Sequence, residues 1–81
     1  MGECILDNKT LLIISAGIEA IPGIIRAKKM GLFVVVLDGD LKAPGIKYAD
    51  DFINASTYNI PDCTNKSYEY SLSKRKIDVS F

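Results

Sequence analysis

Two continuous apolar runs, separated by a stretch of one helix's length, constrain the fold of this chain more than any other feature. Residues 10–15 read TLLIIS and residues 32–37 read LFVVVL. Neither run alternates apolar with polar, as a strand wet on one face would. Each therefore suits a strand covered on both faces, the environment of a parallel sheet. The second run is also rich in β-branched residues and stops abruptly at Asp38.

The segment between the runs carries helix signals at both ends. Gly17 allows a turn after the first strand, and Pro22 is tolerated only within a first helical turn, where its missing N–H has no intrahelical acceptor to lose. The helix should therefore start near Ile18 or Glu19. An apolar stripe of Ile18, Ile21 and Ile25 is expected to face the sheet. Lys28 and Lys29 sit where cations favour a helix C-terminus, and Gly31 suits the left-handed position just beyond it. Strand, helix and strand within about 30 residues make a right-handed βαβ unit with parallel, neighbouring strands.

The rest of the chain extends the same scheme. The stretch DGDLKAPGIKYAD (38–50) reads as a loop punctuated by Gly39, Pro44 and Gly45, with one helical turn around residues 46–49. DFINAS (51–56) reads as a short third strand. A weak second helix is expected within residues 57–76, supported by Tyr68 and Leu72 at i and i+4, with Lys74, Arg75 and Lys76 forming its solvated basic end. KIDVSF (76–81) looks like the start of a fourth strand. The expectation is an α/β fold, a three-layer α/β/α arrangement around a small parallel sheet of three to four strands, Rossmann-like, with residues 1–81 forming one partial domain cut in its fourth strand. The expected core comprises Leu12, Ile13, Ile14, Ile21, Ile25, Val34, Val35, Val36 and Phe52.

Composition removes several functional classes. A chain of 81 residues makes one small domain. Ten basic and ten acidic residues cancel, so no excess field attracts nucleic acid or an anionic membrane surface. No apolar run approaches the roughly 20 residues that span a bilayer, and the N-terminus lacks the basic, apolar pattern of a signal peptide, so a cytoplasmic location is expected. The chain has no histidine, which excludes Ser-His and Cys-His nucleophile pairs and the commonest metal ligand. Cys4 and Cys63 have no paired spacing and are expected to be reduced, partly buried thiols. The DGD and DD acids at 38–40 and 50–51 are expected to cap turns, with no metal site.

The candidate site is the glycine turn. A turn between a strand's carboxyl end and a helix N-terminus leaves backbone N–H groups pointing outward at the positive end of the helix dipole, a geometry that suits an anion. Glu19 complicates this, because its carboxylate could fill that place or orient a cationic group of a substrate. Asp38, about 20 residues on, stands where a Rossmann domain places the acid that binds the ribose of NAD. The G-x-G-x-x-G fingerprint is nevertheless incomplete. It would need glycine at Glu19 and Pro22 in one register, or at Ser15 and Ala20 in the other.

The segment LLIISAGIEAIPGIIRAKKMGLFVVVLDGDLKAPGIKYADDFINASTYN resembles the N-terminal, pre-ATP-grasp domain of ATP-grasp ligases. This group includes biotin carboxylase, the large subunit of carbamoyl phosphate synthetase and the formate-dependent glycinamide ribonucleotide transformylase. The resemblance rests on the turn SAGIE, the strand end at Asp38, APG at 43–45 and YADDF at 48–52. It implies a ligase in which ATP phosphorylates a carboxylate and an amine or thiol attacks the acyl phosphate. It implies that ATP and magnesium are held by further lobes, so that this chain binds neither and is inactive alone. It further implies a small-molecule substrate received by Ala16, Gly17, Ile18 and Glu19, with Asp38 as a further substrate-binding residue, and the other lobes or a second chain as partner. Two further readings stand beside it: a stand-alone Rossmann-type nucleotide or small-anion binding domain, and a module whose sheet edge is completed by another chain.

Overall fold

The computed structural model describes residues 9–56 and 60–80. Among the described residues there are four strands, β1 (Thr10–Ile14), β2 (Phe33–Asp38), β3 (Asp51–Asn54) and β4 (Val79–Ser80), and two α-helices, α1 (Ile21–Lys29) and α2 (Ile60–Ser73). Every strand pairing is parallel, and the sheet order is β3-β2-β1-β4. Thr10 to Ile14 run beside Phe33 to Leu37, Asp38 closes β2 opposite Asn54, and Leu11 and Leu12 meet Val79 and Ser80. The α/β class, the parallel sheet and its four strands are as the sequence predicts. Cys4, Phe81 and the expected helix start at 57–59 lie outside the described residues.

The central strand explains the uninterrupted apolar run. β2 is flanked by β1 and β3 and covered on both faces, so Val34, Val35, Val36 and Leu37 are all fully buried. Alternate residues serve opposite layers. Leu11, Val34 and Val36 join Ala16, Ile24, Ala27 and Ala43 under α1. Leu12, Val35 and Leu37 join Ile53, Ala55 and Tyr70 under α2. These are the two cores of a three-layer, Rossmann-like fold.

Helix phase departs from the sequence reading. A 3-10 turn at Ile18–Ala20 precedes α1, and its tighter winding offsets any count of 3.6 residues begun at Ile18. The inward positions are Ala20, Ile24 and Ala27, spaced i, i+4 and i+7. Ile24 is 0% exposed, whereas Ile25 is 38% exposed and Ile18 projects into solvent. Ile14 is also outside the core, at 42% exposed. It shares a sheet face with Leu12, but α2 packs over β2 and β3 and leaves the end of β1 open. Ile13, Ile21 and Phe52 are half-buried. Gly31 is left-handed as expected, with φ 90, and the Leu32 N–H reaches back to the Ala27 carbonyl at 3.2 Å, closing the helix end.

The second helix is turned differently as well. Tyr68 and Leu72 are exposed, while Cys63 and Tyr70 face the sheet. The Tyr70 hydroxyl donates to Asp51 Oδ2 at 2.8 Å. Arg75, expected in a solvated helix end, is half-buried instead: its guanidinium lies 4.0 Å from the Phe33 ring centroid and its Nε donates to Thr10 Oγ1 at 2.8 Å. The Asp78 carboxylate accepts the Thr10 N–H and the Asp50 carboxylate accepts the Val34 N–H, both at 2.8 Å. Aspartates thus satisfy strand-entry donors that would otherwise lack partners.

Candidate functional site

The strand order decides where a ligand belongs. From β1 the chain crosses to β2 on one side, and from β3 it returns past both to β4 on the other. The order reverses between β1 and β4, and in open α/β sheets the crevice at the carboxyl ends of such a pair is the binding position. The turn that follows β1 opens onto that crevice.

The turn is built by hydrogen bonds from three elements. Ser15 N–H donates to the Leu37 carbonyl at 2.7 Å, extending the ladder one residue past the strand. Ala16 N–H donates to Asp38 Oδ2 at 2.8 Å. The Ala16 carbonyl accepts the Gly45 N–H at 2.7 Å. At the end of β3, Asn54 Nδ2 donates to the carbonyls of Asp38 at 3.1 Å and Gly39 at 3.3 Å. The structure therefore joins Asp38 to Ala16 and brings Ser15, Gly45 and Asn54 into the same hydrogen-bonded group.

The left-handed residue of the turn is Ser15, with φ 107, and not Gly17, whose φ of −70 and ψ of 177 any residue can adopt. A non-glycine residue at positive φ is uncommon and held only where its surroundings fix it. Here the Ser15 hydroxyl makes two long contacts, accepting the Gly17 N–H at 3.4 Å and facing Glu19 Oε2 at 3.5 Å. A Cβ on Gly17 would lie 2.6 Å from Glu19 Oε1, so the glycine makes room for that carboxylate. The flexible end of Glu19 can move aside.

The electrostatics are mixed. The first N–H groups of the helical segment that opens at Ile18 have no intrahelical acceptor and lie at its positive end. Three carboxylates, those of Glu19, Asp38 and Asp40, stand at or after the carboxyl ends of β1 and β2. Asp38 spends both oxygens on backbone, Oδ1 accepting the Asp40 N–H at 2.9 Å, and Asp40 Oδ1 accepts the Lys42 N–H at 2.9 Å. Such a turn can hold a neutral polar group or a hydrogen-bond donor as readily as an anion, since an anion must approach fixed negative charge.

Among the described residues no group of three or more His, Cys, Asp or Glu side chains could hold a metal ion. At the turn Asp38 and Asp40 accept backbone N–H groups, whereas Glu19 faces the Ser15 hydroxyl. Asp50 and Asp51 also accept backbone N–H groups, Asp51 that of Phe52 at 2.8 Å besides the Tyr70 hydroxyl. The Cys63 thiol is free and donates to the Ser56 carbonyl at 2.9 Å. No helix of the described residues is long and apolar enough to cross a membrane. A concavity of about 790 Å³ lies between α1 and the strands β1 and β4. Leu11, Ile13, Ala20, Ala27 and Val79 make it largely apolar, with Glu19 among its lining residues.

Sequence reasoning missed Ser15 because positive φ leaves no mark on a serine. Gly45 did leave a mark, in the APG segment, but its partner could not be read from the chain.

No protein-family model and no curated protein matches the chain. Solved structures do. An N5-carboxyaminoimidazole synthetase from Staphylococcus aureus, complexed with ADP, is 28% identical over 93% of this chain, with a TM-score of 0.74. The same synthetase in another crystal structure is 30% identical over 99% of the chain, with a TM-score of 0.68. An N5-carboxyaminoimidazole ribonucleotide synthetase in its ADP complex is 31% identical over 84%, with a TM-score of 0.66. These enzymes are ATP-grasp ligases, the group that the sequence resembles. The chain spans only 18% to 20% of their length.

Proposed function

We propose that this chain is the N-terminal, substrate-side domain of an ATP-grasp ligase that activates a carboxylate as its acyl phosphate and joins it to an amine or thiol. The observation that carries this reading is the near-complete superposition of the chain on 18% of an N5-carboxyaminoimidazole synthetase at 28% identity. Within the ligases, the APG and YADDF segments favour the biotin carboxylase and carbamoyl phosphate synthetase large-subunit type. Ala16, Gly17, Ile18 and Glu19, with Asp38 behind them, receive a polar group of the small-molecule substrate. ATP and magnesium belong to lobes beyond these residues, so the chain alone does not catalyse the reaction.

In this role the domain binds and orients. The sheet fixes the turn at the carboxyl end of β1, Asp38 holds Ala16 in place, and Glu19 can accept a hydrogen bond from a hydroxyl or amine of the substrate. The test is a titration of the purified chain with ATP plus magnesium and with NAD, followed by amide NMR, together with a phosphate-release assay. The expected outcome is no saturable binding of either nucleotide and no phosphate release. Magnesium-dependent ATP hydrolysis by the chain would overturn its inactivity. Saturable NAD binding abolished by Asp38→Ala would replace the ligase reading with a Rossmann-type nucleotide domain.

A further inference from the structure

We infer that Gly45 is a positioning residue for the glycine turn, and that the loop from Asp38 to Gly45 and the turn at residues 15–19 form one rigid unit. The glycine is not there for backbone freedom: its φ of −74 and ψ of −16 are ordinary helical values. It is there for close approach. A Cβ at position 45 would lie 2.7 Å from the Ala16 carbonyl oxygen, 3.1 Å from the Ala16 carbonyl carbon and 3.1 Å from Ile24 Cδ1. Two of those three atoms are backbone and cannot swing aside as the end of a side chain can.

The same loop grips Ala16 from both directions. At its start the Asp38 carboxylate accepts the Ala16 N–H at 2.8 Å, and at its end the Gly45 N–H donates to the Ala16 carbonyl at 2.7 Å. Ala16 is fully buried between them and packs with Ile24 of α1. Its carbonyl belongs to the peptide plane that leads into Gly17. The direction in which the following N–H groups point is therefore set by a residue in a different connection of the fold. Any larger residue at 45 pushes on that plane. The importance of this for substrate rests on the proposed role of the turn; the mechanical coupling does not.

The coupling is tested without any ligand, on the 81-residue chain, by amide NMR spectra and hydrogen exchange. Gly45→Ala is expected to shift the amide signals of residues 16–19 and to speed exchange at position 45 at least tenfold. Gly23→Ala, a site where a Cβ meets nothing within 4 Å, is expected to leave the turn's signals in place. Ile24→Val deletes the Cδ1 atom, so the double variant separates two causes. If the Ala16 carbonyl is what is struck, the turn's signals stay shifted. If Ile24→Val restores them, the clash is one of core packing and the inference fails. It fails equally if Gly45→Ala leaves the turn's signals unmoved. Should Gly45→Ala not fold, Asp38→Asn serves: exchange at the Ala16 and Gly45 amides should rise together, and unchanged protection of Gly45 overturns the coupling. A chain that shows these shifts and also hydrolyses ATP, or binds NAD saturably, refutes the proposed function and leaves the coupling standing.

Discussion

Replacing Asp38 tests whether one carboxylate organises the turn at the carboxyl end of β1. Its two oxygens accept the Ala16 N–H at 2.8 Å and the Asp40 N–H at 2.9 Å. A hydrogen bond to a charged acceptor contributes roughly 1.5 to 3 kcal/mol where it is buried. Asp38 is half-buried and water can reach part of the gap, so the lower end applies. Asp38→Ala removes both acceptors and should cost about 2 to 3 kcal/mol. Asp38→Asn keeps one neutral acceptor and should cost about 1 to 1.5 kcal/mol. Against a total of about 5 kcal/mol for a domain this small, either loss is large. At roughly 4 to 8 °C per kcal/mol, the asparagine variant should melt about 4 to 12 °C below the parent, and the alanine variant lower still. The assay is urea and thermal unfolding followed by circular dichroism, with Asp40→Asn as control, since the Asp40 side chain accepts the nearby Lys42 N–H on an exposed loop and its replacement should shift stability by less than about 0.5 kcal/mol. An Asp38→Ala variant as stable as the parent would refute the reasoning, because water would then satisfy both donors and the carboxylate would organise nothing.

Three further predictions rest on the packing of the helices. Ile24→Ala should cost about 2 to 5 kcal/mol and Ile25→Ala clearly less, because Ile24 is fully enclosed between α1 and the sheet while Ile25 is 38% exposed; equal losses in denaturant melts would contradict this helix phase. Burial, the hydrogen bond to Asp51 and that residue's negative charge push the Tyr70 phenol up to about 12, above its ordinary 10.0. The folded state thus holds this proton more tightly than the unfolded chain, so the stability it contributes is present below pH 10 and is lost between about pH 10 and 12. Tyr70→Phe should destabilise by about 1 kcal/mol at pH 8 and narrow its gap to the parent as pH rises through that window; a gap constant from pH 8 to 12 would sink the assignment. At the acid end, burial pushes the Asp51 carboxyl up, but the Tyr70 hydroxyl, the Phe52 N–H and Lys74 together hold it below 3.8. Its contribution should therefore fade only as the pH falls below that value.

The chain by itself determined the βαβ start, the parallel sheet and the place of the turn, because these follow from local facts. An unbroken apolar run such as 32–37 has few environments open to it, and Gly31 and Pro22 mark helix ends through their own backbone geometry. It also placed Asp38 at the carboxyl end of the second strand, and the structure adds its bond to the Ala16 N–H. What only the tertiary structure decided depends on atoms distant in sequence. The inward face of α1 rests on Ile24 and not Ile25 because a 3-10 turn shifts the phase before the helix begins. Arg75 lies across Phe33 and Thr10 because the return to β4 carries it under the sheet. The left-handed residue proved to be Ser15, and the glycine that the site cannot spare on contact grounds is Gly45 rather than Gly17. Each of these is fixed by what another segment brings to within 3 or 4 Å, and no local propensity encodes a distance of that kind.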